Sequence, residues 1–249
     1  MSETSPQNPR KGIYLLPNLF TTTSLFAGFY AIVAAMKGNF DVAAIAIFIA
    51  MVMDGIDGRV ARLTNTQSAF GAEYDSLSDI VSFGVAPALV VYSWGLSSLG
   101  KVGWLAAFFY TAATALRLAR FNSSLGNEDK RYFQGLPCPS AAGLVSAMVW
   151  VAYDYEIPGH QLWITTAIVT VIIGALMVSS IRYYSFKDID FKGHVPFVAL
   201  LAVLMLFVFV SISPPLILLS AFGLYVLSGP ILAVTRYIGI WRKAKKRHE

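Results

Sequence analysis

Long apolar stretches separated by short polar segments constrain this chain more than any other feature of its sequence. A helix needs about 20 residues to cross the hydrocarbon of a bilayer, and the sequence contains eight stretches of roughly this length. With 56% hydrophobic and 13% charged residues, the chain has more apolar surface than a soluble core of its size can bury. We therefore predict an all-α polytopic membrane helix bundle with about eight transmembrane helices. Their approximate bounds are 17–36, 42–62, 77–98, 102–119, 138–155, 161–180, 195–212 and 214–235.

The distribution of basic residues predicts how this bundle is oriented. Placing the amino terminus inside the cell puts 17 of the 19 lysines and arginines on the cytoplasmic side, and leaves only Lys37 and Lys101 outside. Such a bias is typical of membrane proteins, and an even number of crossings then places both termini in the cytoplasm. We predict one membrane-embedded catalytic domain, residues 1–249, with a flexible cytoplasmic amino terminus at 1–12 and a basic cytoplasmic tail at 237–249.

The basic tail at 237–249 has a simple interpretation that involves no catalysis. A run of cations could bind nucleic acid, but beside a spanning helix it more often contacts anionic lipid headgroups. We therefore expect contact with the bilayer and no nucleic-acid partner.

Cys138 is the only cysteine, which excludes an internal disulfide and a cysteine-based zinc cluster. We expect it to be a small packing residue.

Four aspartates interrupt the apolar pattern near the cytoplasmic ends of two consecutive predicted helices. Asp54 and Asp57 are three residues apart, and Asp75 and Asp79 are four apart, so each pair lies on one helix face. Four carboxylates held close together cannot all stay ionised without cations between them. Hard oxygen ligands suit Mg²⁺ or Mn²⁺, and Mg²⁺ typically completes its shell with substrate phosphates. Because carboxylates at this depth are costly, we favour a divalent-metal site over a set of solvated helix caps.

Small residues and one arginine lie among these acids. Gly58, Ala61 and Gly71 would let a nucleotide approach the backbone closely, although the same residues would also let helices pack tightly in lipid. Arg62 follows Gly58 by about one helical turn. Its guanidinium suits a phosphate, but it could equally extend from a helix end to the membrane surface. Both interpretations remain open.

The spacing of these residues resembles the signature of the CDP-alcohol phosphatidyltransferases. Three further stretches, 16–21, 117–122 and 133–142, are similar to the integral-membrane bacterial and archaeal members of that family that use serine as acceptor. The resemblance covers roughly residues 13 to 150, and the last helices carry no motif. The eight signature positions match in type and spacing, and they are Asp54, Asp57, Gly58, Ala61, Arg62, Gly71, Asp75 and Asp79.

This resemblance implies transfer of the phosphatidyl group from CDP-diacylglycerol to an alcohol, with release of CMP and with two bound Mg²⁺ or Mn²⁺ ions. It implies that Asp54 and Asp75 bridge the two metals and that Asp57 completes one metal site. Asp79 would complete the other site and act as the base that accepts the hydroxyl proton. The residues implied to contact CDP-diacylglycerol are Asn18, Thr21, Gly58, Ala61, Arg62, Ser68 and Gly71.

The resemblance also implies L-serine as the acceptor, a bacterial inner membrane as the location and a homodimer as the assembly. Serine carries a carboxylate, so its pocket should contain a fixed cation on the same side of the membrane. Arg117 and Arg120, near the end of the fourth stretch, meet this requirement, with Asn122 as a neighbour. The two arginines could instead anchor a helix end at the membrane surface.

Two other functions remain open from the sequence. A related enzyme could use glycerol phosphate or an inositol phosphate as acceptor, although an acceptor phosphate would require more cations than the sequence offers here. A divalent-cation transporter could also bind its cargo at the four acids. Transport sites usually lie near the bilayer midplane between inverted repeats, whereas these acids lie at one edge and we find no repeat.

Overall fold

The computed structural model describes residues 15–64, 66–123, 132–185 and 211–245, and the isolated positions 201, 204, 205 and 208. A π-helical turn, Ile80–Val85, joins the third and fourth helices, and 3₁₀ turns lie at Leu96–Leu99 and Gly159–Gln161. Two short strands, β1 (Tyr132–Gln134) and β2 (Arg182–Tyr184), pair antiparallel. The helices are α1 (Leu15–Met36), α2 (Phe40–Leu63), α3 (Ala69–Asp79), α4 (Ala86–Trp94), α5 (Lys101–Ser123), α6 (Cys138–Asp154), α7 (Trp163–Val178) and α8 (Pro214–Lys245).

The helical membrane fold is confirmed, but the count of about eight spans is not. Four described segments are long and apolar enough to cross a membrane: Leu16–Met36, Ala69–Trp94, Lys101–Ser123 and Pro214–Thr235. The 24-residue α2 is not among them, and it carries five charged side chains. The 17-residue α6 and the 16-residue α7 are shorter. Most of the predicted seventh span, 195–212, lies outside the described residues.

Helix ends differ from the predicted spans wherever polar residues belong to the helix. α3 begins at Ala69, eight residues before the predicted start at 77, because the Ser68 side chain caps it by accepting the N–H of Gly71. α5 continues to Ser123, four residues beyond the predicted end at 119. α8 continues to Lys245, so residues 237–245 of the predicted tail extend this helix. Hydropathy therefore locates the apolar part of a helix but not its polar ends.

Small side chains let α1 and α2 pack closely along their length. Three residues, 37–39, join the two helices. Within lipid, small residues at an interface allow helix backbones to approach each other. Ser24 of α1 also donates a hydrogen bond to the carbonyl of Ala50 at 3.0 Å. These contacts hold α1 against the part of α2 that leads into the first acid pair. The buried alanines of the pair are Ala27, Ala31, Ala34, Ala35, Ala43, Ala44, Ala46 and Ala50.

Two serine hydroxyls attach α1 to the continuous rod formed by α3, the π-turn and α4. Ser78 donates to the carbonyl of Thr21 at 3.1 Å. One turn later, Ser82 donates to the carbonyl of Ser24, also at 3.1 Å. Asp79 lies between these two serines in the sequence. The two bonds therefore fix the position of Asp79 relative to α1.

The π-turn begins directly after Asp79 and has an identifiable cause. Pro87 lacks an N–H group, so it cannot bond to the carbonyl of Phe83 four residues earlier. The hydroxyl of Tyr110, on α5, donates to that carbonyl at 3.1 Å instead. Local π-helical geometry is frequent at functional sites. Here α5 stabilises it immediately beside a candidate base.

The β1–β2 ribbon is the departure from the predicted all-α fold within the described residues. Phe133 lies opposite Tyr183, and strands of three residues are too short to show an alternating pattern in the sequence. The buried Tyr183 hydroxyl donates to the carbonyl of Val226 at 3.1 Å. Burial raises the pKa of Tyr183 to about 12, so the hydroxyl stays a neutral donor. Gly229 leaves no room for a Cβ against the Tyr183 ring. The ribbon is thus held on α8 by tertiary contacts.

Candidate active site

The four predicted metal ligands converge at the meeting point of α2 and α3. One carboxylate oxygen from each of Asp54, Asp57 and Asp75 lies within 4.8 Å of the others. Asp79 lies next to this group, close enough for the charges of Asp54, Asp57 and Asp75 to act on its carboxyl. The structure therefore brings together two acid pairs that are separated by 17 residues of sequence between Asp57 and Asp75.

The turn between α2 and α3 explains the spacing of the motif. The N–H of Thr66 donates to the carbonyl of Ala61 at 3.1 Å, which closes the end of α2. Ser68 then caps α3. Because α2 packs against the π-turn and α4, which continue α3, the acid-bearing end of α2 lies near that of α3. The interval between Arg62 and Gly71 is thus the length of chain needed to end one helix and begin the next.

The acid cluster has the features of a cation site. Asp75 and Asp79 each have a buried Oδ1 atom that makes no hydrogen bond within the described residues. A buried carboxylate oxygen without a partner costs free energy, and the charges of Asp54 and Asp57 act on Asp75 in addition. Bound divalent cations would offset both costs, and oxygen donors are the ligands that Mg²⁺ and Mn²⁺ prefer. The residues present therefore fit a divalent-metal site.

Thr21, which was predicted to contact the CDP moiety, lies against a predicted metal ligand. Thr21 is 3% exposed, and its hydroxyl donates to Oδ2 of Asp57 at 2.7 Å. Partners of this kind fix the orientation of a metal ligand and are costly to lose. Sequence reasoning missed this positioning role because the two residues lie on different helices, 36 positions apart.

Arg62 lies over Gly58, one turn earlier on α2. A Cβ at Gly58 would lie 3.7 Å from Nη1 of Arg62, so the guanidinium folds back along its own helix. The side chain is exposed. An exposed guanidinium beside Gly58, on the helix that carries the first acid pair, is suited to contact an anionic group.

The other residues predicted to contact CDP-diacylglycerol gather around the beginning of α3. Oδ1 of Asn18, on α1, would lie 3.6 Å from a Cβ at Gly71, so these two residues are neighbours. The Ser68 hydroxyl accepts the N–H of Gly71 at 3.0 Å, which gives this side chain a capping role. The carbonyl of Ala61, near the end of α2, accepts the N–H of Thr66 in the turn that leads to α3. The structure therefore groups Asn18, Ser68 and Gly71 at the beginning of α3.

Arg117 is a buried cation beside the acid cluster. It is 8% exposed, and its Nη1 donates to Sγ of Cys138 at 3.2 Å. Its Nε is buried and makes no hydrogen bond within the described part of the chain. Cys138 is close enough to Asp54 and Asp79 for their charges to act on its thiol. A buried cation is costly without an anion nearby, so this site is suited to a negatively charged ligand.

Arg120 has a different environment, although it lies only three residues further along α5. Its guanidinium donates to the carbonyls of Gln134, Val178 and Ser179 at 3.1, 3.1 and 3.3 Å. These bonds satisfy carbonyls at the carboxyl end of α7, which would otherwise lack partners. They also attach β1 to α7. The geometry therefore favours a structural role for Arg120 over direct contact with serine.

Asn122 likewise connects two helices. Its Nδ2 donates to the Ser76 hydroxyl at 2.9 Å. Ser76 directly follows Asp75 on α3, so this bond holds the end of α5 against the helix that carries the second acid pair. Asn122 therefore lies near the acids through Ser76, and its amide is engaged in this contact.

Two residues near Arg117 were not selected as site residues from the sequence. Cys138 was expected only to fill space. Tyr225 of α8 is close enough to Arg117 to be influenced by its charge, and its hydroxyl donates to the carbonyl of Tyr184 at 3.1 Å. No spacing rule identifies either residue. The sequence feature that could have indicated Cys138 is its position at the start of a predicted helix, within the 133–142 stretch.

Comparison with known proteins identifies the family. The sequence model of the CDP-alcohol phosphatidyltransferase family matches residues 14–172, and the chain belongs to this family. A CDP-diacylglycerol–serine O-phosphatidyltransferase from Helicobacter pylori is 40% identical over 228 residues, which cover 91% of this chain and 92% of the relative. One of the same name from Mycobacterium leprae is 35% identical over 212 residues, covering 80% and 69%. An archaetidylserine synthase from Methanothermobacter thermautotrophicus is 33% identical over 170 residues, covering 68% and 69%.

These comparisons confirm the family that the acid motif predicted. The family match includes the four acids, Arg117 and Cys138, and it ends within α7. The similarity to the Helicobacter pylori relative extends over most of the chain. Together with the apolar helices, family membership supports a membrane-embedded enzyme.

Proposed function

We propose that this protein transfers the phosphatidyl group from CDP-diacylglycerol to the hydroxyl of L-serine, giving phosphatidylserine and CMP. The observation that carries the proposal is the cluster of acids together with the buried Arg117, which is bonded to Cys138, a residue on which the charges of Asp79 and Asp54 act. The name and the identity of the Helicobacter pylori relative support it. The site thus offers one region for cations and diphosphate, and a neighbouring one for a small anionic acceptor.

The acids supply the first region. In our proposal these residues would hold two divalent cations: Asp54 and Asp75 would contribute to both sites, Asp57 to one and Asp79 to the other. When bound, Mg²⁺ or Mn²⁺ would neutralise the diphosphate and stabilise charge on the attacking and leaving oxygens. The Oδ1 atoms of Asp75 and Asp79 support this assignment, because both are buried acceptors that make no hydrogen bond within the described residues.

Charge balance supports an acceptor that carries a single carboxylate. The four negative charges of the acids would be offset by two divalent cations. Arg117 would then remain as a buried positive charge, which requires an anion close by. The carboxylate of serine supplies one negative charge. A phosphate monoester carries about two, so glycerol phosphate or an inositol phosphate would need a further cation that Arg120, bound to backbone carbonyls, does not provide.

Asp79 is the residue that we assign as general base. Like Asp54, it lies close enough to Cys138 for its charge to act on the thiol to which Arg117 is bonded. A base must come within hydrogen-bond distance of the proton that it removes. With the serine carboxylate held by Arg117, the serine hydroxyl would be directed toward Asp79. The bond from Ser78 to α1 keeps the base in place.

The CDP moiety would bind beside the ends of α1, α2 and α3. Exposed Arg62 would form charge-assisted hydrogen bonds with a phosphate, and Gly58 would allow the ligand to approach the backbone. Asn18 borders the same region through its contact with Gly71. Ala61 and Ser68 would shape this surface, and Thr21 would act through Asp57.

The remaining assignments concern location and assembly. The strong bias of basic residues supports an active site that faces the cytoplasm of a bacterial inner membrane, with both termini on that side. A homodimer follows only from the family resemblance. Cross-linking of the purified protein in detergent would test the dimer, and reporter fusions to the two termini would test the orientation.

One assay tests the proposed reaction. Purified full-length protein in detergent, given CDP-diacylglycerol, Mn²⁺ or Mg²⁺ and labelled L-serine, is expected to release CMP and form labelled lipid. Glycerol 3-phosphate and inositol phosphate at the same concentration are expected to give neither product. CMP release with a phosphate acceptor alone would contradict the serine assignment. Uptake of Mn²⁺ into vesicles by a protein that releases no CMP would instead indicate a transporter.

A further inference from the structure

We propose that the first turn of α6 and Arg117 together form the subsite for the acceptor's carboxylate, and that the Cys138 thiol positions Arg117 within it. This inference rests on the proposed function, because it names where one part of the serine molecule binds. It adds backbone donors and a positioning residue that neither the acid motif nor the spacing of the arginines indicates.

The first turn of α6 offers backbone N–H groups. The helix has 17 residues and begins at Cys138, and its N-cap residue, Pro137, provides no side-chain cap. Ala141 is the residue whose N–H forms the first bond to a backbone carbonyl, that of Pro137, at 3.0 Å. The N–H groups of Cys138 and Ser140 precede this bond. The amino end of a helix has a partial positive charge and readily binds anions.

Arg117 provides a second, independent indication of an anion at this position. The side chain is more than nine-tenths buried, with 8% exposed, and it is directed at the first residue of α6 through its bond to Cys138. Its buried Nε makes no hydrogen bond within the described residues. Positive charge from the guanidinium and from the amino end of α6 is therefore concentrated around one buried side chain, that of Cys138. A negatively charged ligand bound there would offset the cost of this arrangement.

The chemistry of the thiol suits this arrangement. Sulfur is a weak hydrogen-bond acceptor, so Cys138 can orient the guanidinium without neutralising its charge. An aspartate at the same position would form an ion pair with Arg117 and remove the charge that the acceptor requires. Cys138 is fully buried, which keeps this contact out of water. A carboxylate subsite therefore needs, at this position, a small and neutral side chain that accepts a hydrogen bond.

The position of the subsite also fits the reaction. The charges of Asp79 and Asp54 act on the Cys138 thiol, so the subsite lies beside the acid cluster. An acceptor bound by its carboxylate at α6 would keep its hydroxyl on the side of Asp79. The amino group of serine is not needed for this contact, so other small hydroxy acids are expected to bind in the same place.

Two variants at Cys138 test the positioning role. Cys138→Asp is expected to raise the KM for L-serine by about 10- to 100-fold, the effect of one charge-assisted hydrogen bond, while the KM for CDP-diacylglycerol changes by less than about twofold. The matched variant Cys138→Ser keeps a small acceptor and is expected to leave both constants close to those of the unmodified enzyme. Equal changes in both KM values, or a similar loss in both variants, would overturn the proposal.

A third variant tests the backbone donors without adding charge. Ser140→Pro removes one N–H group in the first helical turn, where proline is tolerated; α8 of this protein itself begins with two prolines. This variant is expected to raise the KM for L-serine several-fold with unchanged thermal stability. An unchanged KM for serine would exclude the α6 amino end from the subsite.

A binding measurement separates this inference from the proposed function. L-serine and 3-hydroxypropionate, which share a carboxylate, are expected to raise the midpoint of thermal unfolding of the full-length protein, whereas ethanolamine, which lacks one, is not. Cys138→Asp is expected to abolish the effect. If serine stabilises the unmodified protein and the variant equally, the subsite is wrong and the function stands. If serine neither stabilises the unmodified protein nor supports CMP release, the function itself is wrong.

Discussion

The four aspartates and the two arginines of this protein differ in how closely their structural roles follow their spacing in the sequence. Both acid pairs are spaced to share a helix face, and all four carboxylates converge. Arg117 and Arg120 have a similar spacing, yet Arg117 lies beside the acids and Arg120 binds carbonyls at the end of α7. Spacing therefore places side chains on a face, but the neighbouring elements decide what each side chain does.

The geometry of α5 explains why the two arginines diverge. Positions three apart differ by about 60° around a helix and by about 4.5 Å along it. That displacement is enough for Arg117 to meet the start of α6 and for Arg120 to meet β1 and the end of α7. The carboxylates of Asp54, Asp57 and Asp75 lie close together although they come from two helices, so a similar displacement keeps them within a single cluster.

The largest expected effect is the loss of turnover when one of the four aspartates, Asp79, is changed. Asp79→Asn removes the proposed base and is expected to lower turnover by about 10²- to 10⁴-fold. The control is Glu73→Gln, which removes an exposed acid from the same helix and is expected to leave turnover unchanged. CMP release under saturating serine and CDP-diacylglycerol measures both. Near-normal turnover in Asp79→Asn would remove Asp79 from the role of base.

The next largest effect is expected on the KM for serine when Arg117 is changed. Arg117→Met removes the buried charge and is expected to raise the KM for serine by about 10- to 100-fold, as for loss of a charge-assisted hydrogen bond. The KM for CDP-diacylglycerol should change little, because Arg117 lies on the α6 side of the acids. Steady-state kinetics with each substrate varied in turn gives both constants. If the requirement for the lipid rises more than that for serine, Arg117 belongs to the donor pocket.

A smaller effect, on the affinity for Mn²⁺, is expected when Thr21 of α1 is changed. Thr21→Val removes the hydrogen bond to Asp57 and is expected to raise the Mn²⁺ concentration for half-saturation by about 10-fold, the lower range for loss of such a partner. Thr21→Ser keeps the hydroxyl and should restore the normal value. Mn²⁺ binding followed by electron paramagnetic resonance reports this directly, without turnover. Equal Mn²⁺ affinity in both variants would mean that Thr21 does not orient a ligand.

The smallest effect on activity is expected for Arg120. Arg120→Met leaves carbonyls of α7 and β1 without donors, so it is expected to lower stability by about 1–3 kcal/mol and to reduce the midpoint of thermal unfolding in detergent. The KM for serine is expected to stay within about twofold, because the other arginine binds the carboxylate. A rise in that KM comparable to the Arg117 variant would break the contrast between the two arginines.

The acid cluster could be predicted from sequence because its determinants are local. Each pair is fixed by helical geometry, and the apolar residues on either side predict that both pairs lie near the membrane surface. The turn that brings the pairs together is short and is closed by its own residues, Thr66 and Ser68. The early start of α3 was missed because Ser68, rather than hydropathy, determines it.

The rest of the site depends on contacts between distant parts of the chain. The role of Arg120 is set by carbonyls at 134 and 178–179, and the bond between Thr21 and Asp57 joins two helices. The β1–β2 ribbon forms through pairing across about 50 residues and through its contact with α8. Cys138 was interpreted as a packing residue because no sequence pattern shows that it lies beside a buried arginine.

The most direct test of the central claim is the number of Mn²⁺ ions that the purified protein binds in the presence of CDP-diacylglycerol. Electron paramagnetic resonance titration is expected to show two ions per chain for the unmodified protein, and loss of both in Asp54→Asn, because Asp54 is proposed to bridge them. Asp41→Asn, which changes an acid in the first turn of α2, serves as the control and should bind two. An Asp54→Asn protein with an unchanged titration would contradict the account.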